Sequence, residues 1–331
     1  MRAEDRTDDG HPLRVGVLLP TREAAINGDH AVAPLLDFAR EAERLGYDSV
    51  WTGDSLLARP RLDPVVVLAA AAAVTSRVTL GTAAYTAALR HPLLGAHQIA
   101  SLDRATAGRL VAALGAGFPV PETEREFAAV GVAYAGRFRR LDDTVRLWRE
   151  TWRSSAGTDT GQDAGPGGPQ RLPSPASPTG PPLWLAGSDT PRALARAAGH
   201  YDGWLPFLPD AGAYARAWEQ IGRLTAGWGR PPGAVTPGLY ATVAVDADRT
   251  AARKQLDAYT QAYYGRSLEQ MAAFQAFGYG SAQECAEWLG GYVRAGARHL
   301  VLRIGSLDPE AQRAQLAEAA RALVPALRAG T

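Results

Sequence analysis

Residues 76–118 read S-R-V-T-L-G-T-A-A-Y-T-A-A-L-R-H-P-L-L-G-A-H-Q-I-A-S-L-D-R-A-T-A-G-R-L-V-A-A-L-G-A-G-F, and this stretch decides the fold. It holds two short apolar runs, Val78–Ala84 and Leu110–Leu114, with a helix-patterned segment, Pro92–Asp103, between them. A strand, a helix and a second strand in that order make a right-handed βαβ unit. Each run ends in small residues, which leave room for a flat ligand to lie against the backbone.

The same alternation continues in both directions. Toward the N-terminus lie a strand at Val15–Leu19, an amphipathic helix at Ala31–Leu45 stopped by Gly46, a strand at Ser49–Thr52 and a helix at Pro64–Val74. Toward the C-terminus, Phe138, Leu141, Val145, Leu147 and Trp148 fall at helical spacing within Gly136–Trp152. Strand and helix then alternate through Leu183–Ala186, Pro191–Ala198, Gly203–Phe207, Ala211–Thr225 and Gly238–Val245. Helical segments follow at Arg249–Tyr264 and Leu268–Phe277. Ser281 opens a helix with a capping box to Glu284, and strand His299–Ile304 and helix Pro309–Leu327 close the chain.

Eight strands, each followed by a helix, predict an α/β fold of the (β/α)8 TIM-barrel class, with a doubly wound sheet as the alternative. Residues 1–12 are expected to form a disordered leader and 13–331 a single barrel domain. Within it, the Gly-, Pro- and Ser-rich stretch 154–182 reads as a flexible insertion before strand five. Residues 249–277 read as a helical insertion after strand seven.

Composition narrows the function classes. Of 331 residues, 46% are hydrophobic and 21% charged, enough apolar surface for a large core. With 35 basic and 34 acidic residues the net charge is +1, which offers no electrostatic case for nucleic acid or an anionic membrane. Cys285 is the one cysteine, so no disulfide forms within the chain, and its helical context suggests a packing thiol. The polar start M-R-A-E-D-R-T-D-D-G lacks a signal core, and no apolar run approaches the roughly 18–20 residues of a membrane span. A soluble, cytoplasmic protein without a metal centre is expected.

In a (β/α)8 barrel the chemistry sits at the carboxyl ends of the strands. Asp54 and Ser55 follow strand two, Thr82-Ala83-Ala84-Tyr85 ends strand three, and Ala116-Gly117-Phe118 follows strand four. After strand five, Gly187, Ser188, Asp189 and Thr190 open a helix. Free N–H groups and a hydroxyl there suit a cofactor phosphate, or simply cap the helix. Asp54 reads either as a catalytic carboxylate or as a turn cap. His91 reads as a structural residue before Pro92, and His97 as a packing residue within its helix. Tyr85, Phe118, Trp204, Phe207 and Tyr264 supply an aromatic, apolar lining for a small hydrophobic substrate. The aromatic group Tyr259, Tyr263, Tyr264, Phe274, Phe277 and Tyr279 either roofs a pocket or fills a helical hairpin. The segment 103–109, D-R-A-T-A-G-R, falls at the opposite end of the barrel and reads as structural.

The segments 41–54 (E-A-E-R-L-G-Y-D-S-V-W-T-G-D), 78–92, 101–110, 136–148, 182–188, 197–204 and 296–303 resemble, in order, the bacterial luciferase-like superfamily. That superfamily comprises flavin- or deazaflavin-dependent oxidoreductases. The resemblance implies a (β/α)8 barrel with insertions and a cis peptide at Ala83-Ala84 beside the isoalloxazine ring. It also implies a cofactor phosphate at Gly187, Ser188 and Thr190, and often a homodimer. Two departures stand out: Asp54-Ser55 replaces an acid–histidine pair, and Ala116 replaces a phosphate-binding arginine. A histidine base of the luciferase type is thus absent, and light emission is not implied; the activity expected from the resemblance is a monooxygenase using reduced FMN, O2 and a small organic substrate. A separate flavin reductase supplies the reduced cofactor, since no nicotinamide-binding motif is present. The alternatives are hydride transfer with coenzyme F420 and a non-catalytic flavin-binding barrel.

Overall fold

Every strand pairing recorded in the computed structural model, which describes residues 11–156 and 172–330, is parallel. Parallel neighbours need a crossover long enough for a helix, and helices fill nearly every connection. The chain divides into two compact units whose boundaries cut the first strand after Val17 and the fifth after Leu183. Together the elements give the expected fold class, a (β/α)8 TIM barrel.

The first strand, β1, covers Arg14–Leu18. In the unit Leu18–Leu183, α1 (Thr21–Ile26) and α2 (Ala33–Arg44) lead to β2 (Ser49–Thr52). Then come α3 (Pro64–Ala72), β3 (Thr79–Tyr85), α4 (Pro92–Ala105) and β4 (Leu110–Leu114). Strand β3 pairs with β2 and β4, in a register that sets Trp51 beside Gly81. A side chain at Gly81 would collide with the Trp51 ring, so the glycine lets two buried strands close. Two further helices, α5 (Pro121–Ala129) and α6 (Arg137–Ala156), complete this unit. Helix α5 was not predicted: P-E-T-E-R-E-F-A-A is mostly polar and buries only Thr123, Glu126 and Phe127. Buried Trp148 and Trp152 on α6 donate their indole N–H groups to Pro92 O and Ala96 O of α4, at 2.8 and 3.2 Å. The apolar bodies seal the interface while the polar edges find partners.

The segment 103–109 is structural, as its position suggested: Arg109 donates to Val78 O (2.8 Å) and Thr75 O (3.1 Å). The sequence places a flexible insertion at 154–182. Of this, 157–171 lie outside the described residues, as do 1–10 of the expected leader. The end of that stretch is fastened: Arg104 Nε donates to Ser174 O (2.5 Å), and Ala176 N donates to buried Asp103 (2.9 Å). Burial raises the Asp103 pKa, with the backbone donors Ala176 and Ser177 acting against it.

The other unit joins His11–Val17 to Trp184 and the chain beyond. It contains β5 (Leu183–Leu185), α7 (Pro191–His200), β6 (Gly203–Trp204), α8 (Ala211–Gly227), β7 (Thr236–Val245) and α9 (Arg249–Tyr264). Next are α10 (Leu268–Ala272), β8 (Ala276–Gly280), α11 (Ala282–Arg294), β9 (His299–Ile304), α12 (Pro309–Glu318) and α13 (Val324–Ala329). The ten-residue β7 organises the unit. It pairs with β6 at its start, with β9 along its middle and with β8 at its end. Strand β9 also pairs with β1.

Strand β8 is a correction. The helical reading of Leu268–Phe277 fails because α10 stops at Ala272, and A-F-G-Y-G alternates with period two. Phe277 and Tyr279 occupy one face, while Gly278 sits against the Trp288 ring, where a Cβ would clash. The predicted capping box is present in full: Ser281 Oγ accepts from Glu284 N, and the Glu284 carboxylate accepts from Ser281 N.

Candidate functional site

The loop after β2 carries the two residues expected to be catalytic, and both are fully engaged. Asp54 Oδ2 accepts from Arg90 Nη1 (2.5 Å) and from Thr86 N (2.8 Å), and Oδ1 accepts from Arg90 Nη2 (3.1 Å). Arg90 Nη2 also reaches Asp63 Oδ2 at 3.0 Å, while the guanidinium lies over the Tyr85 ring at 4.1 Å. Asp63 serves twice, since its side chain also caps α3 by accepting from Val65 N and Val66 N. The Asp54 side chain is 5% exposed and that of Arg90 21%. Burial opposes the Arg90 charge, but the bidentate Asp54, assisted by Asp63, outweighs it and holds the pKa above the usual arginine range. Burial likewise pushes the Tyr85 phenol up, with Arg90 pulling against it.

Ser55 is held from the other side. Its Oγ donates to Glu126 Oε1 (3.1 Å) and accepts from Arg59 N (2.7 Å). The same Glu126 oxygen accepts from Leu57 N (2.8 Å) and from Leu56 N. Glu126 is buried on α5, so this helix, invisible in the sequence pattern, pins the loop after β2.

Residues expected beside a cofactor differ in what they offer. Thr82 is buried and donates to Ala113 O at 2.8 Å, so its hydroxyl serves the sheet. Ala83 and Ala84 are half-buried, joined by a cis peptide at the expected place, and the β3–β4 register shifts there. Ala116 is buried; Gly117 has φ +85°, and a Cβ there would meet Thr123 Cγ2 at 2.6 Å. Only glycine fits this close turn against α5. Phe118 is half-buried, with the Arg59 guanidinium 5.8 Å from its ring centre. Tyr85 is fully buried against Trp148, so it packs as core.

In the other unit, Ser188, Asp189 and Thr190 are exposed at the start of α7 and Gly187 is half-buried. Thr190 caps the helix by accepting from Ala193 N at 3.4 Å, and Pro191 has no N–H to offer. Trp204 is fully buried, its ring 5.3 Å from Tyr214, and its Nε1 finds no partner among the described residues. Phe207 is half-buried, and the Tyr264 hydroxyl donates to Gln275 Oε1 at 3.2 Å. His91 and His97 are both exposed, so His97 is not the packing residue its helical position suggested. Among the described residues no group of His, Cys, Asp and Glu is arranged to hold a metal, and no helix is long and apolar enough to cross a membrane.

Sequence reading singled out neither Arg90 nor Glu126, because each meets its partner across a long sequence separation. Arg303 is placed by the sequence at the carboxyl end of the last strand but carries no role there; it stands near the end of β9 and is 2% exposed. The available signal was a charge inside H-L-V-L-R-I, a strand otherwise built for burial.

The luciferase-like monooxygenase model matches residues 13–299. The chain belongs to this family. Among curated relatives, it is 35% identical over 162 residues to an F420-dependent glucose-6-phosphate dehydrogenase of Kineococcus radiotolerans, covering 46% of this chain and 45% of that protein. The chain spans less than half the length of this and three further curated F420-dependent glucose-6-phosphate dehydrogenases that it matches. Among solved structures, monooxygenase RslO1 from Streptomyces bottropensis superimposes with TM-score 0.75 at 21% identity, covering 95% of this chain and 99% of that one. The oxygenating constituent of 3,6-diketocamphane monooxygenase from Pseudomonas putida, in complex with FMN, gives 0.74 at 16%, covering 95% and 98%. These likenesses establish the shared fold, and the luciferase-like family consists of oxidoreductases.

Proposed function

We propose that this luciferase-like chain uses reduced FMN and O2 to oxygenate a small apolar organic substrate. The observation that carries the reading is the engagement of Asp54 and Ser55. Oxidation of an alcohol by hydride transfer needs a group to accept the hydroxyl proton. At the strand-two position Asp54 is tied up by Arg90 and Thr86, and Ser55 by Glu126 and Arg59. An oxygenase asks less of a protein base and more of positioning and exclusion of water. Reduced FMN, when bound, supplies the two electrons that activate O2.

The residues present suit that cofactor. Within the unit Leu18–Leu183 the half-buried methyl groups of Ala83 and Ala84 suit an apolar ring; within the other unit, taken by itself, exposed Ser188 and Thr190 suit a phosphate at a helix start. Phe118 in one unit, and Phe207 and Tyr264 in the other, are half-buried aromatic side chains of a kind that suits an apolar substrate. A separate reductase supplies the reduced cofactor to a cytoplasmic homodimer.

Hydride transfer with coenzyme F420 is the second reading, favoured by the 35% identity to an F420-dependent dehydrogenase. Paired anaerobic titrations with reduced FMN and with oxidised F420 separate the two. Tight binding of reduced FMN, followed by substrate-dependent O2 consumption, is expected. Selective binding of F420 with O2-independent turnover would replace the oxygenase by a dehydrogenase.

A further inference from the structure

The geometry points to Arg303 as the anchor of an anion site that takes the carboxylate or phosphate of a small-molecule ligand. Buried arginines are normally paired with a carboxylate. Among the described residues none lies within salt-bridge distance of Arg303, although the side chain is almost completely enclosed. Its hydrogen bonds all go to one neutral oxygen: Thr242 Oγ1 accepts from Nε at 3.0 Å and from Nη2 at 2.7 Å. A guanidinium has five N–H donors, so three find no acceptor among the described residues.

The surroundings stabilise the charge without satisfying those donors. The rings of Tyr240, Tyr259, Tyr263 and Tyr264 stand 5.4, 5.3, 4.6 and 5.3 Å from the guanidinium carbon. Such faces attract a cation but accept no in-plane N–H bond. The position is also that of a functional group: Arg303 ends a barrel strand, and α9 packs so closely over the next turn that a Cβ on Gly305 would strike Leu256. A two-oxygen anion seated on the free edge of the guanidinium would receive parallel N–H bonds in a dry, aromatic setting. Aromatic walls around that edge favour an anion carried on an apolar or aromatic body. The site lies wholly within one unit and does not depend on which cofactor the enzyme uses.

The test is calorimetric titration of the cofactor-free full chain with sodium benzoate and, separately, with sodium phosphate, at constant ionic strength against a chloride control. Benzoate binding above the control assigns the site to a substrate carboxylate, and phosphate binding assigns it to a phosphorylated ligand. In either case Arg303→Met should weaken the interaction on the order of tenfold to a hundredfold. Arg303→Lys, which keeps the charge but not the fork, should fall between. It also serves if the methionine variant fails to fold. Failure of both anions to bind, or wild-type affinity in the folded variant, overturns the assignment.

Discussion

Arg90, partly exposed, and Arg303, almost fully buried, carry the same charge away from water and meet opposite company. Arg90 has a bidentate carboxylate in Asp54, a second in Asp63 and one tyrosine face. Arg303 has four tyrosine faces, one hydroxyl and no carboxylate among the described residues. The first arrangement is closed: each partner exists to neutralise the other, and the cluster ties the loop after β2 to the turn before α4. The second is open, and a structure tolerates an open charge where something else is to complete it. The lesson concerns Asp54, too. A carboxylate at the end of a barrel strand looks catalytic in a sequence, and here its oxygens accept from Arg90 and Thr86.

The largest effect should come from breaking the closed cluster. Asp54→Ala leaves the more exposed Asp63 as the carboxylate beside Arg90 and removes the acceptor for Thr86 N. Removing one partner of a buried pair costs about 3–5 kcal/mol, and because Arg90 keeps some solvent contact the lower end applies, about 3 kcal/mol. Urea unfolding monitored by tryptophan fluorescence reads this directly. A loss under about 1 kcal/mol would mean that the pair behaves like a surface bridge.

Much of this comparison was hidden in the sequence. Strand and helix periodicity located eight strands, because buried parallel strands are continuous apolar runs and the helices between them are amphipathic. Phe277 was misassigned because a five-residue strand after a short helix continues the same apolar tally, and only glycine alternation marks the change. Asp54 and Ser55 were visible as polar residues in the right place. Their partners Arg90 and Glu126 lie 36 and 71 positions away, and no local pattern encodes that closeness. Arg303 was the reverse case, plain in its strand but uninterpretable until the tyrosines of α9 were seen around it.

A third way to bury an ionisable group occurs on the strand of Arg303, where His299 gives up its charge. Burial first, and Arg14 second, lower its pKa to about 3, so the folded ring is neutral at pH 7. Its edge-to-face contact with Trp184, centroids 5.2 Å apart, suits a neutral ring. In the unfolded chain the same imidazole takes up a proton near pH 6.5. Stability from this residue is therefore complete above about pH 6.5 and declines as pH falls toward 3, by at most about 1.4 kcal/mol per pH unit. Urea midpoints of the wild type and His299→Phe between pH 7 and pH 5 should diverge, with the variant showing the flatter profile. Parallel profiles would show that the buried ring is protonated in the folded protein.

Asp63 sharpens the picture of the closed cluster, because its side chain is 45% exposed and it contributes an exposed ion pair and a helix cap at once. Asp63→Asn retains much of the cap but loses the charge, whereas Asp63→Ala loses both. The expected losses are about 0.5 kcal/mol for asparagine, from a solvent-screened pair, and about 1 kcal/mol for alanine, from the missing acceptor at the start of α3. Equal losses in the two variants would assign the whole effect to the ion pair.

The smallest stability change belongs to Arg303, and that is what makes it informative. Arg303→Met replaces a buried charge having no carboxylate partner with an apolar chain of similar length among four tyrosine rings. Lost cation–π attraction and two hydrogen bonds to Thr242 act against the variant, while the removed desolvation penalty acts in its favour. The balance should lie within about 1 kcal/mol of the wild type in urea unfolding. Arg90→Met should instead be strongly destabilising, because it strands Asp54 without its counter-charge. If both methionine variants unfolded with the same large loss, the tyrosines would be sufficient partners for Arg303 and its charge would belong to the fold. A near-zero change at Arg303 beside a large one at Arg90 leaves the fold no use for the second charge, and binding is the use that remains.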